Sequence, residues 1–507
     1  MVYVKIERIS NKEVFKITSA KDKNHKIKFG TDGFRGVIAR DFTFESIKTV
    51  ALAIGDYIRA CKIEPRTAVF YDRRFMSECF ARHICETLND IGVSCILSAS
   101  AVPTPALSYY VKNFDVELGI MVTASHNPFD YNGIKIKNKD GASAPGELIS
   151  GIQHFIDLRS NGFENEKKED SVIKKGETRK VDIIDNYLNN IASCIDIDLI
   201  KKFKGRLLIN PMYGSQAGLF KRFTDKFSLK IESDEIFGEH NPLFPGFNPE
   251  PIAPNLSFML ETMKKNNERK PYNAGFCYDG DGDRIGAVTR SGAFVSPQLI
   301  FAILLNHLLK NKKLSGSIAK TVSVTALVSE IAEKYGITIN ETPIGFKYIA
   351  EMMLDKNKNI LIGGEESGGI GIRTYLPERD GLYLSLMLLE VMAFENKDLD
   401  EIIDNIFYEY GKFIYDRLDL KLSEDKFNAI REKLKDKKIT EINGYAVTAV
   451  NECDGYKYFL NDGSWMLFRF SGTEPVLRIY AEASVKMVKD KDKVKNLLEF
   501  AKKYLEI

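Results

Sequence analysis

The sequence predicts an α/β protein with three similar α/β domains, whose sheets are mixed and mainly parallel, followed by a smaller C-terminal α+β domain. In the first third, apolar helical segments alternate with short buried strands, which is the pattern of a sheet covered on both faces. Residues 155–180 lose this periodicity and gain charge, so the first domain ends there. From about residue 405 the chain ends in strand, turn, strand and a lysine-rich helix, which indicates the smaller domain.

The elements follow in chain order. Apolar side chains at helical spacing predict a helix over residues 44–60, and a second helix carries Phe80, Ile84 and Leu88. Strands are predicted at 68–71, 95–97 and 119–122, at 207–210 and just before 279, and at 321–324 and 360–362, with a helix over 382–394. The predicted domains are 1–160, 161–290, 291–402 and 403–507.

Composition narrows the function classes. A chain of 507 residues that is 44% hydrophobic and 28% charged is typical of a soluble multidomain protein. Its net charge of +2 gives no reason to expect binding to nucleic acid or to an anionic membrane surface, and no apolar run is long enough to span a membrane. The seven cysteines include no C-x-x-C pair and most lie in apolar runs, so we expect mainly buried, reduced thiols and a cytoplasmic protein.

The most informative segment is the aspartate loop (residues 279–284), in which Asp279, Asp281 and Asp283 alternate with glycines after a predicted strand. Glycine permits a tight loop that brings the carboxylates together, and converging carboxylates suit Mg²⁺. An EF-hand opens with the same pattern but needs Gly at position six and Glu at position twelve. Those positions hold Arg284 and Arg290, which excludes an EF-hand. A solvated acidic turn is the alternative for this segment alone.

The serine loop (residues 123–128) follows the predicted strand 119–122 and is stiffened by Pro128. It places Ser125 at the carboxyl edge of a parallel sheet, where α/β proteins bind ligands. The adjacent His126 suggests a serine hydrolase, but no G-x-S-x-G sequence surrounds Ser125. A phosphate-carrying serine and an ordinary turn are the other two interpretations.

Two glycine-rich loops suit other ligand groups. Residues 28–36 combine three glycines with Arg35, which suits a backbone that lies close to an anion. In the glutamate loop (residues 363–369), Glu365 and Ser367 lie two apart and offer acceptor and donor groups to neighbouring sugar hydroxyls. A helix N-cap is the alternative for the glutamate loop.

The arginine hairpin (residues 469–478) is predicted as two strands with a tight turn. Backbone N–H groups in such a turn form an anion-binding nest, and arginines offer forked donors that match phosphate. A phosphate clamp is therefore predicted here, with a plain hairpin and two solvated arginines as the alternative. The candidate residues are Arg469, Ser471, Gly472, Thr473 and Arg478.

In this order, the loops resemble those of the α-D-phosphohexomutase superfamily, the phosphoglucomutase and phosphomannomutase enzymes. The matching segments are 30–36, 123–128, 279–284, 364–368 and 469–475, with lesser matches at 71–77, 103–107, 131–136, 211–215 and 345–349. The resemblance covers roughly residues 28–482. For the segment that precedes it we expect an added strand pair.

The resemblance implies four domains around a central cleft, each of which supplies one loop. It implies that Ser125 is a phosphoserine and that Ser125, Asp279, Asp281 and Asp283 hold Mg²⁺. The basic positions that it implies around the phosphoserine are Arg35, His126, Lys135 and Arg284. The substrate-binding residues that it implies are Gly345, Lys347, Glu365, Ser367, Arg469, Ser471, Gly472, Thr473 and Arg478.

The implied enzyme is an isomerase that interconverts hexose 1-phosphate and hexose 6-phosphate through a hexose 1,6-bisphosphate intermediate. Cations around the transferring group supply most of what phosphoryl transfer requires. A base must also take the proton of the attacking hydroxyl. Lys135 is the candidate, provided that Arg35 and Arg284 favour its neutral form, and His126 is the alternative.

The substrate leaves alternatives open. The Glu-Glu-Ser sequence at 365–367 resembles the glucose-type loop more than the Glu-Met-Ser form of dual mannose/glucose enzymes or the Glu-Gln-Ser form of phosphoglucosamine mutases, but Gly369 stands where many relatives carry His. We expect glucose phosphates, with mannose phosphates also accepted, and a phosphoglucosamine mutase as the alternative. A non-catalytic sugar-phosphate-binding protein and a phosphatase are the other function classes, and neither needs the serine, the carboxylates and the clamp together. The sequence specifies no oligomeric state.

Overall fold

The computed structural model describes residues 27–30, 33–161, 174–266, 270–436, 439–472, 475–485 and 492–506. Thr473 and the strand pair expected near the N-terminus lie outside the described residues. Across these ranges the strands form four main sheets, of which the first three are mixed and the last is antiparallel. The predicted fold class is therefore confirmed.

The first block contains β1 (Phe34–Val37), α1 (Phe44–Ala60), β2 (Arg66–Tyr71), α2 (Ser77–Asp90), β3 (Ser94–Ser98), α3 (Thr104–Asn113), β4 (Leu118–Val122), β5 (Tyr131–Asn138), α4 (Gly146–Ser160) and β6 (Thr178–Val181). Its sheet has the order β1-β5-β4-β2-β3-β6. Strands β4, β2, β3 and β6 pair in parallel, whereas β5 and β1 are antiparallel to their neighbours. Strand β6 lies beyond residue 160, so the first sheet includes one strand that the predicted boundary assigns to the second domain. The domain boundary itself stays a prediction.

The second block contains α5 (Ile184–Ser193), α6 (Ile197–Ile200), β7 (Arg206–Asn210), α7 (Leu219–Lys226), β8 (Glu232–Glu235), α8 (Ser257–Asn266), β9 (Ala274–Tyr278), β10 (Ile285–Thr289) and β11 (Phe294–Val295). Its sheet has the order β11-β10-β9-β7-β8. Strands β9, β7 and β8 pair in parallel, and β10 and β11 are antiparallel.

The third block contains α9 (Pro297–Asn306), β12 (Ser317–Thr321), α10 (Ala326–Lys334), β13 (Ile339–Thr342), α11 (Phe346–Leu354), β14 (Ile360–Gly364), β15 (Ile370–Ile372), α12 (Gly381–Glu395) and α13 (Leu399–Tyr410). Its sheet has the order β13-β12-β14-β15, with β15 alone antiparallel. The strand predicted at 321–324 is wrong beyond Thr321. The chain turns there, and the Val324 N–H donates to the Thr321 carbonyl.

The fourth block contains β16 (Phe413–Lys421), α14 (Glu424–Asp436), β17 (Glu441–Ile442), β18 (Tyr445–Asn451), β19 (Tyr456–Leu460), β20 (Trp465–Phe470), β21 (Val476–Ser484) and α15 (Lys493–Leu505). Its sheet has the order β16-β21-β20-β19-β18-β17. Helices α14 and α15 contribute to the apolar core on one face of this sheet, which leaves the other face for the third block.

The first three sheets share one connection, in which a strand with a parallel neighbour leads directly into an antiparallel strand. The connections are β4 to β5, β9 to β10 and β14 to β15. They hold the serine loop, the aspartate loop and the glutamate loop respectively. The same position in each repeated unit therefore carries a candidate ligand loop.

One apolar cluster extends through the first three blocks and contains most of α12. This helix is buried from Gly381 to Met392, as expected for a helix that is apolar on all sides. Full burial of a large aliphatic or aromatic side chain contributes about 1.5–3 kcal/mol. Burial of α12 therefore stabilises the packing of the blocks that surround it. Within the described ranges, no helix combines the length and the apolar character needed to cross a bilayer.

The seven cysteines form no disulfide. The expectation that most of them are buried is wrong: Cys85, Cys95 and Cys277 are buried, whereas Cys61, Cys79 and Cys453 are exposed and Cys194 is intermediate. Cys61 directly follows α1, and Cys79 lies in the first turn of α2. Apolar neighbours in the sequence therefore did not show which of the cysteines are buried.

Candidate active site

The serine loop presents Ser125 to the aspartate loop. Ser125 has a φ of 54°, a left-handed conformation that costs a non-glycine residue about 1–2 kcal/mol. Its backbone N–H donates to Thr123 Oγ1 at 2.9 Å, and its buried Oγ donates to Asp279 Oδ2 at 2.8 Å. The Nδ1 atom of His126 lies 3.3 Å from the same Oγ. The strained loop thus directs a hydroxyl at a carboxylate of the second block.

Arg74, which the sequence analysis did not single out, holds the serine loop in this conformation. Its NH2 group donates to the carbonyls of Ser125 and Asn127 at 2.6 Å each. Its NH1 group donates to the carbonyls of Pro128 and Tyr131 at 2.8 and 3.1 Å. Burial lowers the pKa of Arg74 to about 10, so the guanidinium remains charged at neutral pH. One buried side chain therefore determines the path of the loop.

If Ser125 carries a phosphate, as the resemblance implies, Arg74→Met should reduce its phosphorylation by roughly a hundredfold or more, because a displacement of about 1 Å is enough for such a loss. Unfolding should also become easier, since each unpaired buried carbonyl costs about 1–3 kcal/mol. Arg73→Met is the matched control, because Arg73 donates to the carbonyls of Gly214 and Gly238 and not to the serine loop. Intact mass after incubation with glucose 1,6-bisphosphate measures phosphorylation. Normal phosphorylation of Arg74→Met would contradict the assigned role.

The aspartate loop brings Asp279, Asp281 and Asp283 together, with one oxygen of each carboxylate lying within 4.8 Å of those of the other two. All three side chains are buried. A Cβ atom added to Gly280 would lie 2.4 Å from the Ser125 carbonyl oxygen. Glycine at this position therefore allows the aspartate loop and the serine loop to touch.

The carboxylate oxygens of this loop fit a divalent cation. Among the described residues, Oδ1 of Asp281 and Oδ1 of Asp283 are buried and have no hydrogen-bond partner. Burial and then the charges of Asp283 and Asp281 raise the pKa of Asp279 well above its ordinary value, because like charges cannot all ionise at close range. An oxygen-preferring cation such as Mg²⁺ would satisfy these oxygens and keep all three groups ionised.

Lys135, on β5, reaches into the same cluster. Its Nζ lies 2.8 Å from Asp281 Oδ2 and 2.8 Å from Asp283 Oδ2. Burial alone would raise the pKa of Asp281, but Lys135 and the hydroxyl of Thr104 more than offset this, and the pKa lies below its ordinary value. Lys135 therefore neutralises part of the carboxylate charge.

Other cationic groups surround the serine. The Arg284 Nε lies 3.9 Å from Asp279 Oδ2, and Arg35 NH1 donates to Asn127 Oδ1 in the serine loop at 2.7 Å. Burial, followed by the charges of Arg284 and Arg35, lowers the pKa of His126 well below its ordinary value. The imidazole is therefore neutral near pH 7.

Arg379, also missed from the sequence, joins the aspartate loop to the glutamate loop. Its NH2 lies 2.7 Å from Asp283 Oδ2, and its NH1 lies 3.5 Å from Glu365 Oε2. Its Nε donates to Glu378 at 3.1 Å. A Cβ atom added to Gly369 would lie 2.3 Å from Arg379 Cδ. Gly369 therefore leaves room for the side chain of Arg379, because a histidine at 369 would collide with it.

The remaining candidates of the third block lie in the glutamate loop and at the start of α11. Ser367 is half-buried in the glutamate loop. Gly345, with a φ of 137°, precedes α11, and Lys347 lies in the first turn of that helix. The adjacent Ile344 N–H donates to Asp454 Oδ2 at 2.9 Å, which connects this segment to the fourth block.

The arginine hairpin forms as predicted, with Arg469 opposite Arg478 in the pairing of β20 and β21. The turn is closed by a hydrogen bond of 2.9 Å from the Ser471 N–H to the Val476 carbonyl. Arg469 Nε donates to Asp454 Oδ2 at 2.8 Å, the carboxylate that also binds Ile344. Gly472 is exposed, and an added Cβ atom would meet nothing within 4 Å. The backbone at Gly472 is therefore accessible to a ligand.

Models of the phosphoglucomutase/phosphomannomutase family match most of the chain. Alpha/beta/alpha domain I matches residues 26–161, domain II 185–292, domain III 296–410 and the C-terminal domain 428–498. The chain therefore belongs to the phosphoglucomutase/phosphomannomutase family. It is an enzyme of the isomerase class, an intramolecular phosphotransferase.

Individual relatives differ in the sugar that they are named for. The phosphoglucosamine/phosphogalactosamine mutase of Sulfurisphaera tokodaii is 32% identical over 483 residues, which cover 94% of this chain and 99% of the relative. A phosphoglucomutase/phosphomannomutase of Thermococcus kodakarensis is 28% identical over 481 residues, with 94% and 98% covered. A solved structure of a putative phosphomannomutase from Thermus thermophilus shares 33% identity and a TM-score of 0.81, with 95% of this chain and 99% of the other covered.

Proposed function

We propose that this protein interconverts glucose 1-phosphate and glucose 6-phosphate, and accepts mannose phosphates, through phospho-Ser125 and a hexose 1,6-bisphosphate. The contact of 2.8 Å between Ser125 Oγ and Asp279 carries the proposal. It joins a buried hydroxyl to one of three clustered carboxylates that fit Mg²⁺, with several cationic side chains nearby. This is the arrangement that phosphoryl transfer requires, because catalysis there rests on positioning and on charge neutralisation. We also propose a cytoplasmic location, as expected from the sequence.

In the proposed reaction, the phosphoryl group moves from Ser125 Oγ to the free hydroxyl of a bound hexose monophosphate. The bond between phosphorus and the serine oxygen breaks, a bond to the sugar oxygen forms, and the sugar hydroxyl loses its proton. The bisphosphate turns end for end, and its other phosphate returns to Ser125. Mg²⁺ held by the three aspartates would neutralise charge on the transferring group. Arg35 and Arg284 act on the same charge from the protein side.

Lys135 is the proposed base and His126 the alternative, and the contacts of the two side chains differ. The ammonium of Lys135 faces two carboxylates at 2.8 Å, so its proton-bearing form is already well satisfied. His126 lies 3.3 Å from the serine oxygen and is neutral for the reasons given above. His126 is therefore within reach of the serine oxygen, but its lowered pKa makes it a weak base.

The choice of sugar rests on the glutamate loop, and a glucosamine phosphate is the second candidate because the relative from Sulfurisphaera tokodaii is named for amino sugars. A coupled assay across glucose, mannose and glucosamine 1-phosphates tests the choice. We expect kcat/KM to be highest for glucose and lower for mannose, since the two differ in one hydroxyl orientation. If the enzyme preferred glucosamine 1-phosphate, the proposed substrate would be wrong, whereas the proposed reaction would stand.

For the arginine hairpin we expect Arg478→Ala to weaken binding of glucose 1-phosphate and glucose 6-phosphate alike. A charge-assisted contact contributes about 1.5–3 kcal/mol, so each affinity should fall roughly tenfold or more. A mutase must hold the non-reacting phosphate of both ligands in one place, and calorimetry on each ligand measures this. Arg431→Ala is the control. Arg431 lies on α14, on the opposite face of the sheet from Arg478, where it packs over the Phe470 ring. An effect on one monophosphate alone would contradict a shared clamp.

A further inference from the structure

The segment that leads from β15 into α12 lies against the aspartate loop. In this segment, residues 378–381, the Gly381 N–H donates to the Gly282 carbonyl at 3.0 Å. The Asp380 side chain accepts a hydrogen bond of 3.1 Å from the Tyr383 N–H and caps α12. The segment therefore connects the start of a buried helix to the backbone between two of the three aspartates.

Two charged side chains of this segment, Glu378 and Arg379, are buried. Glu378 Oε1 accepts hydrogen bonds from the backbone N–H and the Nε of Arg379, at 3.0 and 3.1 Å. Its Oε2 accepts hydrogen bonds from Ser143 Oγ, at 3.0 Å, and from Lys137 Nζ. Burial alone would raise the pKa of Glu378, but the charges of Lys137 and then Arg379 more than offset this, and the pKa lies below its ordinary value. The carboxylate is therefore ionised, with one oxygen held by the first block and the other by Arg379.

The contacts of Glu378 with the first block come from β5 and the chain just after it. Lys135 and Lys137 are alternate residues of this strand, so their side chains point to the same side of the sheet. Lys135 contacts Asp283 at 2.8 Å, and Lys137 contacts Glu378. Ser143 lies opposite Lys137 in an antiparallel bridge. Because a buried ammonium without a partner is costly, each lysine holds one of these carboxylates against β5.

Arg379 carries this arrangement to the cation site. Its NH2 lies 2.7 Å from Asp283 Oδ2, the same oxygen that Lys135 contacts at 2.8 Å. The other oxygen of that carboxylate, Oδ1, has no hydrogen-bond partner in the part of the chain that the structure describes. Arg379 NH1 lies 3.5 Å from Glu365 Oε2 in the glutamate loop. One guanidinium therefore orients a candidate metal ligand and also contacts the candidate sugar-binding carboxylate.

We propose that Glu378 is a positioning residue, which holds Arg379 in contact with both Asp283 and the glutamate loop. Lys137 and Ser143 hold Glu378 in turn, so the first block contributes to the geometry of the cation site through this carboxylate. Groups that orient a ligating carboxylate typically change metal affinity or activity by about 10–100-fold when they are removed. The inference rests on the proposed function and adds residues that act on its site through Arg379.

Glu378→Gln tests this, since it removes the charge and nearly keeps the shape of the side chain. Calorimetry on the metal-free protein should show Mg²⁺ affinity lowered by about tenfold or more, and kcat/KM for glucose 1-phosphate should fall by a similar factor. If Glu378 acts through Arg379, the double variant Glu378→Gln/Arg379→Met should lose no more kcat/KM than Arg379→Met alone. Losses that multiply in the double variant would overturn the inference.

Lys137→Met separates positioning from a simple effect of charge. Glu378→Gln removes a negative charge and Lys137→Met removes a positive one, so a field effect alone would shift Mg²⁺ affinity in opposite directions. Positioning predicts that both variants bind Mg²⁺ more weakly than the wild type. Ser143→Ala removes a single hydroxyl contact of Glu378 and should lower Mg²⁺ affinity by about threefold to tenfold. Tighter Mg²⁺ binding by Lys137→Met, or unchanged binding by Ser143→Ala if Lys137→Met does not fold, would overturn the inference.

Glu390→Gln is the matched control for the loss of a buried charge. Glu390 is a buried carboxylate on α12, and its Oε1 lies 3.1 Å from His307 Nε2 and 2.6 Å from Lys312 Nζ. The control should lower the melting temperature, as Glu378→Gln does, and leave Mg²⁺ affinity unchanged. Equal losses of Mg²⁺ affinity in the two variants, or none in Glu378→Gln, would overturn the inference while the proposed function stands. A wild-type protein that neither binds nor converts any hexose phosphate would overturn the proposed function itself.

Discussion

Replacing Ser125 with alanine is expected to abolish mutase turnover. The variant lacks the oxygen that we propose carries the phosphoryl group between the two halves of the reaction, and loss of a nucleophile typically costs several orders of magnitude. We expect activity to fall by roughly four orders of magnitude or more. A coupled assay of glucose 1-phosphate conversion measures the loss. Intact mass should show a phosphate adduct on the wild type and none on Ser125→Ala.

Ser98→Ala is the matched control for this prediction. Ser98 is also a buried serine at the carboxyl end of a strand in the first sheet, and its Oγ has no hydrogen-bond partner among the described residues. The control should keep both the adduct and the activity. If Ser125→Ala turned over at close to the wild-type rate, the assignment of the phosphoryl carrier would be wrong.

Removal of the divalent cation is expected to stop turnover reversibly. Chelation should abolish activity and Mg²⁺ should restore it, whereas Ca²⁺ should bind but support turnover poorly, because its coordination is larger and less regular. Asp281→Asn should lower kcat by at least about a hundredfold, since it removes one ligand charge. Asp185→Asn is the control, as Asp185 is an exposed carboxylate that pairs with Arg222. Full activity after exhaustive chelation would remove the metal from the mechanism.

Stability provides a second readout of the same site. Because the pKa of Asp279 is raised in the folded, metal-free protein, the folded state binds a proton at this carboxyl more tightly than the unfolded chain does. Its stability therefore falls as pH rises through that pKa. Asp279→Asn should remove this contribution, so the melting temperature of the metal-free variant should fall less than that of the wild type as pH rises. Mg²⁺ should raise the melting temperature of the wild type more than that of the variant.

Local signals allowed much of the fold to be predicted. The predicted helix over 44–60 is α1 (Phe44–Ala60), which begins with a capping box at Thr43, and the helix over 382–394 lies within α12. The strand at 321–324 failed because an apolar alternation continued into a turn. Pairing partners such as β6, which crosses the predicted boundary, depend on contacts that no local pattern encodes.

The candidate site could likewise be predicted only where short segments of sequence carry the signal. Ser125 and the three aspartates lie in short segments whose composition indicates their chemistry, and the structure brings them together. Arg74 and Arg379 were missed because their partners are distant in sequence: Arg74 contacts a carbonyl 51 residues away, and Arg379 contacts the aspartate loop. The lesser match at 71–77 contained Arg74 but gave no reason to assign it a role. Gly369 stands where many relatives carry His, but the sequence does not show why. The structure gives the reason, because the side chain of Arg379 occupies the space that a larger residue would need.

Passage of the phosphoryl group through Ser125 is tested most directly by a single-turnover experiment. Protein labelled with ³²P on Ser125, from labelled glucose 1,6-bisphosphate, is mixed with unlabelled glucose 1-phosphate in the presence of Mg²⁺. We predict that the label leaves the protein and appears in the 6-phosphate of glucose 6-phosphate, while Ser125 is rephosphorylated by the unlabelled phosphate of the substrate. Label that stays on the protein during net conversion, or that appears as inorganic phosphate, would contradict the proposed reaction.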